Sequence, residues 1–176
     1  MSEKKNIIKT SSDISKYEIN NIYNKEQVIY KVTRVLEKTF LSNENQVKPI
    51  KNIDTGIYIE IWKSGIRETF GNDKYYMSLP TNIKTAKIAS MSYLAKLIKY
   101  AKLKANNISN YHNPKSKIKY MYLENSIIID SIEYVVTIDV RILPKGINRF
   151  YIHNLKIKRR ELSKPRSDLL TDSSLT

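Results

Sequence analysis

The sequence predicts an α+β domain in which N-terminal helices pack on a small twisted antiparallel sheet of about four strands. Three observations carry this prediction. Apolar residues recur at helical spacing through the earlier part of the chain, alternation at period two runs over residues 117–158, and the composition (176 residues, 41% hydrophobic, no cysteine) is that of a globular domain. A chain of this size buries roughly 70% of its unfolded surface, so a core forms without staples. The expected organisation is a flexible arm over 1–24, one domain over 25–158 and a disordered tail over 159–176.

The elements follow in order. Residues 1–24 are polar, with Ser11, Ser12 and Asp13 as the one capping signal, and read as a loose arm or a marginal helix. Asn24 with Gln27 three residues on forms an N-terminal signature, and Val28, Val32, Val35, Leu36 and Phe40 continue a helical stripe, giving a helix over 25–42. A turn at 42–46 and Pro49 end it. Ile57, Ile59 and Ile61 then alternate with Tyr58, Glu60 and Trp62 as a half-buried strand does, after a turn at Asp54-Thr55-Gly56. Ser64 is the expected cap of a short helix that Gly71 ends. Ile83, Ala86, Leu94, Leu97, Ile98, Ala101 and Ala105 fall on one arc, which predicts a long helix over 81–105 with Lys84, Lys87, Lys96, Lys99 and Lys102 on the other arc. An Asn-rich loop over 106–114 precedes three strands, the last with Tyr151, His153, Leu155 and Ile157 on one face.

Composition excludes several function classes. The absence of cysteine removes disulfides, zinc ribbons and thiol chemistry, and two histidines are too few for a histidine-rich metal site. There is no Gly-rich phosphate loop, no nucleophile elbow and no RNA-recognition octapeptide, so no cofactor is expected. Apolar stretches are strand-length, well short of the roughly 20 residues of a membrane span. Met1 to Thr10, with Lys4, Lys5 and Lys9, lacks the apolar centre of a secretory signal. The expectation is a cytoplasmic protein.

Charge points to a partner. Lys+Arg 31 against Asp+Glu 17 gives a net charge of +14, and the 50 residues from Lys74 to Leu123 contain ten lysines and no carboxylate. A polyanion is the natural counterpart of such a field, and tyrosine, 13 in all, could stack on unpaired bases. Lysine binds phosphate as a point charge without the arginine fork, so the pattern favours backbone binding over base reading. The expected nucleic-acid-binding residues are Lys84, Lys87, Lys99, Lys102, Lys115, Lys119, Tyr120 and Tyr151; each lysine singly reads equally well as a solvated helix face, and each tyrosine as packing. With thiols and metals set aside, the chemistry open to such a domain is metal-independent RNA cleavage, in which the 2′-hydroxyl attacks its own phosphate with help from a base, an acid and cationic donors.

The string Ile59-Glu60-Ile61-Trp62-Lys63-Ser64-Gly65-Ile66-Arg67-Glu68-Thr69, with Tyr111-His112-Asn113 and the closing Phe150-Tyr151-Ile152-His153, resembles the phage-associated Barnase, EndoU, colicin and RelE-like (BECR) nuclease domains of large polyvalent phage proteins. The likeness spans about residues 25–158. It implies an RNase-like α+β fold and a role as a toxin on RNA, often tRNA, or as a phage effector, with a small acidic cognate inhibitor as a further partner.

The resemblance places His153 as general acid or base, a role that its unperturbed pKa near 6.5 suits; a packed strand histidine is the alternative. Arg67 offers a fork to phosphate or a surface partner for Glu68. Lys63, Ser64 and Thr69 flank the same junction, where helix amides favour an anion, and His112 lies in a Pro-flanked loop. The rival class is a non-catalytic module that binds nucleic acid, or covers another protein, through the same basic face.

Overall fold

The computed structural model describes residues 7–38, 49–109, 119–142 and 150–161, with the backbone alone described in 105–109 and 150–153. Helix α1 (Lys25–Glu37) starts where its capping signature lies: Asn24 Oδ1 accepts the N–H of Gln27 at 3.0 Å, and the Gln27 side chain accepts that of Asn21 at 3.1 Å. Val28, Ile29, Val32 and Leu36 form its buried stripe. Residues 39–48, which include the expected last turn of this helix, lie outside the described residues.

Strands β2 (Ile50–Lys51) and β3 (Tyr58–Glu60) form an antiparallel pair around the expected turn, in which Gly56 takes φ 74°, a conformation open to glycine at no steric cost. The loop between them does more than turn. Asn52, fully buried, donates to the carbonyls of Ile98 (2.7 Å) and Ala101 (2.9 Å) and accepts from the Thr55 amide (2.9 Å) and hydroxyl (2.7 Å). Asp54 accepts the Leu103 amide at 2.7 Å, which with Lys102 holds its carboxyl below the usual carboxylate range.

Helix α2 (Lys63–Phe70) follows, and its N-cap is Trp62 rather than Ser64, which lies exposed inside the first turn without a capping bond. Gly71 ends α2 at φ 66°, and Asn72 immediately caps a helix missing from the sequence reading, α3 (Asp73–Ser78), through a 2.8 Å bond from the Tyr75 amide.

The long helix expected over 81–105 is two helices and the start of a strand: α4 (Thr81–Met91), α5 (Leu94–Tyr100) and β4 (Lys102–Ser109). The break falls at Ser90-Met91-Ser92-Tyr93. There the Ser90 hydroxyl bonds back to the Lys87 carbonyl at 2.8 Å, and the Ser92 and Tyr93 amides turn to carbonyls three residues back, tightening the last turn. The apolar arc is nonetheless real, since Ala86, Leu94, Leu97, Ile98 and Ala101 are all buried.

Strands β5 (Lys119–Ile129), β6 (Ile132–Ile142) and β7 (Phe150–Arg159) form the antiparallel meander; Asp130 and Ser131, both at positive φ (48° and 66°), make the two-residue turn that joins the first two. The sheet is larger than expected and mixed. Its order is β1-β5-β6-β7-β3-β2 with β4 also on β5, and β1 (Ile8–Thr10) and β3 run parallel to their neighbours β5 and β7. The segment read as a loose arm thus supplies an edge strand, a 3-10 turn at Ser15–Tyr17 and a fully buried Tyr17. The expected turn at 144–148 and the tail from 162 onward lie outside the described residues.

One hydrophobic core joins the helices to one face of the sheet. Leu123, Ile127, Val136, Ile138, Val140, Leu155 and Ile157 project from the strands against Ile66, Phe70, Ile88, Leu94 and Leu97. At about 1.5–3 kcal/mol for each fully buried aliphatic or aromatic side chain, this layer is the main source of stability. Among the described residues none of the opposite sheet face belongs to it. That opposite face carries the polar phase of the strand alternation.

Candidate functional site

Cross-strand register assembles the polar phase into rows. One row runs Tyr120–Arg141–Tyr151–Glu60 across β5, β6, β7 and β3; the next runs Tyr122–Asp139–Asn154, and the third Glu124–Thr137–Lys156. Tyr122 and Asp139 of the middle row, the third row and Val135 floor a groove of about 540 Å³, rimmed by Lys104, Lys158 and Arg159. Four cations (Lys104, Lys156, Lys158, Arg159) and two carboxylates (Glu124, Asp139) line it, so its net charge is positive.

Asp139 is the least ordinary group there. It is only 2% exposed, and its Oδ2 lies 2.9 Å from Lys156 Nζ. Its Oδ1, like Asn154 Oδ1, has no hydrogen-bond partner among the described residues. A buried carboxylate is costly without such an ammonium beside it. Glu60, 7% exposed, is also taken from water, and its Oε2 accepts the Trp62 indole N–H at 2.7 Å.

Strand β7 departs from regular pairing at this point. Val140 pairs with Ile152 and Asp139 with Asn154, leaving His153 as an extra residue, a β-bulge of the kind that re-aims side chains beside active sites. The bulge corrects the expected face assignment: Tyr151 aligns with Arg141, in the polar row, whereas Leu155 and Ile157 align with Ile138 and Val136 of the core.

The residues chosen from sequence are dispersed. Arg67 is exposed on α2, 3.2 Å from Glu26 of α1. Lys63 is exposed and 2.5 Å from Glu37, whose carboxyl this bond holds below its ordinary range. Thr69 is buried, with its hydroxyl on the Gly65 carbonyl of the same helix at 2.8 Å. None of these lines the groove. His112 and Lys115 lie outside the described residues, as do the side chains of His153 and Tyr151.

The lysine face is corrected most sharply. Lys84 and Lys87 are each 1% exposed. Lys84 donates to the Met77 carbonyl at 3.3 Å and to that of Leu79, while Lys87 donates to that of Thr69 at 2.5 Å. Both ammonium groups thus neutralise carbonyls at the ends of α3 and α2, where the helix dipole favours a cation. Tyr75 packs its ring 5.2 Å from Lys87, and burial pushes the Lys87 pKa down to about 8, with a smaller contribution from the Lys156 charge. Lys99 is exposed over the Tyr100 ring, Lys102 pairs with Asp54 at 3.2 Å, Lys119 is exposed at the start of β5, and Tyr120 is buried in the first polar row.

Sequence reasoning missed Asp139, Arg141, Asn154, Lys156, Glu60 and Trp62 as site residues. The signal was present: Glu133, Thr137, Asp139 and Arg141 on one strand and Asn154, Lys156 and Lys158 on the next recur at period two, with a carboxylate between Ile138 and Val140. Cations meet acids on both sides of the sheet: Lys31 with Glu18, Arg67 with Glu26, Lys63 with Glu37 and Lys25 with Asp73 on the helical side, and Lys104 with Glu124 (3.6 Å) and Lys156 with Asp139 (2.9 Å) in the groove.

Among the described residues there is no helix long and apolar enough to cross a membrane, and no group of three or more His, Asp or Glu that could hold a metal. No curated protein and no solved structure matches the chain. A family model for the large polyvalent protein-associated domain 3 matches residues 30–151. That span runs from α1 through the polar strands to the start of β7, and the chain belongs to this family of phage-associated polyvalent protein domains.

Proposed function

We propose that the polar sheet face binds RNA and cleaves it without a metal, through attack of the 2′-hydroxyl on the adjacent phosphate. The observation that carries this reading is Asp139: buried at the groove floor, with one oxygen held by Lys156 and the other without a partner among the described residues. In this scheme Asp139 takes the 2′-hydroxyl proton through one intervening water, since its Oδ1 is itself buried. Lys156 and Arg141 stabilise the charge of the phosphorane, the leaving 5′-oxygen takes its proton from His153 at the bulge, and Lys104, Lys158 and Arg159 hold flanking phosphates. In this reading phosphate binding moves from the lysine helix to the sheet, Asp139, Lys156 and Arg141 join His153 in place of Arg67 and Lys63, and the substrate class stays that expected from the net charge of +14.

The test is incubation of the full chain with tRNA and with a single-stranded oligoribonucleotide in EDTA. The expected products are fragments ending in cyclic phosphate, absent with Asp139→Asn. Salt-sensitive binding without fragments leaves a binding module, and absence of both removes the reading.

A further inference from the structure

We infer that Asn154 is the positioning residue for the water through which Asp139 takes the 2′-hydroxyl proton; this rests on the RNA reading above. Asp139 and Asn154 are cross-strand partners on β6 and β7. Residues directly opposite in an antiparallel pair share one face of the sheet, with Cβ atoms about 4.5–5.5 Å apart. That face is the polar one, since Asp139 lines the groove and Lys156, two residues beyond Asn154, reaches Asp139 Oδ2 at 2.9 Å. Regular pairing from Val140 and Ile152 would set His153 opposite Asp139; the bulge gives that place to Asn154.

Asp139 Oδ1 and Asn154 Oδ1 are both buried, and neither has a hydrogen-bond partner among the described residues. Two unmatched buried acceptors on facing residues cost stability that an apolar pair of the same shape would not. One water answers both, because it donates one O–H to each oxygen and keeps its lone pairs for a donor in the groove. The donor of the reaction is the 2′-hydroxyl. It gives its proton to the water as the water gives one of its own to Asp139 Oδ1. The bond from the 2′-oxygen to phosphorus forms, the bond from phosphorus to the 5′-oxygen breaks, and that oxygen takes its proton from His153. The Asn154 amide neither gains nor loses a proton, so its part is to hold the water between hydroxyl and carboxyl.

Kinetics of the full chain on a labelled single-stranded oligoribonucleotide in EDTA separate positioning from packing. Asn154→Leu, close in shape but without an acceptor, should lower kcat on the order of a hundredfold, as a misplaced reacting group does. Its KM, its affinity by anisotropy and its melting temperature should not fall short of wild type. Asn154→Thr, which restores an acceptor oxygen on a residue suited to a strand, should recover part of the rate. A crystal structure of the wild-type chain should hold a water within hydrogen-bond distance of both oxygens. Three results would overturn the positioning role and leave the RNA reading standing: wild-type cleavage by Asn154→Leu, loss of RNA affinity together with rate in that variant, or a direct bond from the Asn154 amide nitrogen to Asp139 in place of the water. A wild-type chain that yields no fragments would overturn both.

Discussion

Lys156 reaches diagonally across β6 and β7 to Asp139, 2.9 Å from Nζ to Oδ2, and sets an ammonium beside a nearly inaccessible carboxyl on the polar face of the sheet. In the third row Lys156 lies level with Thr137, not Asp139, so the pair is a diagonal cross-strand contact of the kind that long side chains make.

Separating the two partners distinguishes their roles. Asp139→Asn preserves shape and removes the charge, so it should abolish cleavage with little change in melting temperature. Lys156→Met strands the carboxylate and should destabilise the fold by about 1–3 kcal/mol. Denaturant melts of both variants beside the cleavage assay check this. A Lys156→Met protein as stable as wild type would show that the ammonium is dispensable to the buried acid.

Asn52, with no solvent exposure, ties the β2–β3 loop to the end of α5 with two hydrogen bonds and holds Thr55 of the same loop with two more. Asn52→Ala leaves two carbonyls without their donor and should cost roughly 3 kcal/mol, read as a shift in urea midpoint at constant slope. Asn52→Asp, with two acceptors facing those carbonyls, should be no better.

Lys87 gives a pH signature. Its pKa is about 8 in the fold against 10.5 when exposed, so between those values the unfolded chain binds the proton that the folded chain has released. Stability therefore rises with pH in that window, by up to about 1.4 kcal/mol per unit from this group. Tyr17 and Tyr76 act in the opposite sense above pH 10, because burial pushes both to about 12 and the unfolded phenols ionise first. The clean interval is pH 8 to 10. There the stability difference between wild type and Lys87→Met should move in favour of wild type, measured by urea unfolding at fixed ionic strength.

Arg67 and Glu26 are both more than half exposed, and such pairs contribute about 0–1 kcal/mol. Arg67→Ala should melt close to wild type and cleave RNA at the wild-type rate. A large loss of cleavage would move the reacting centre to α2.

Local signals were legible wherever one residue and its near neighbours decide the outcome. The Asn24 cap, the Gly56 turn, the Gly71 stop and the period-two run of β5 to β7 depend on backbone preferences and on which side chains avoid water, and all stand in the structure. The α+β class followed from their order. The long lysine helix was not decided locally, because the apolar arc of α4 and α5 is continuous in sequence while the serines at the break bond back to the backbone.

What the sequence determined by itself was the class, the basic balance and the alternation that makes one sheet face polar. What only the tertiary structure decided was which charges meet. Lys84 and Lys87 have the same composition and spacing as solvated lysines, but the ends of α2 and α3 arrive at their ammonium groups and bury them. Asp139, Asn154, Lys156 and Glu60 lie on three strands, and they become neighbours only through strand order, register and the one-residue bulge at His153. Pairing between distant segments is set by how all the elements share one core, and a charge is useful or merely solvated according to what that pairing places beside it.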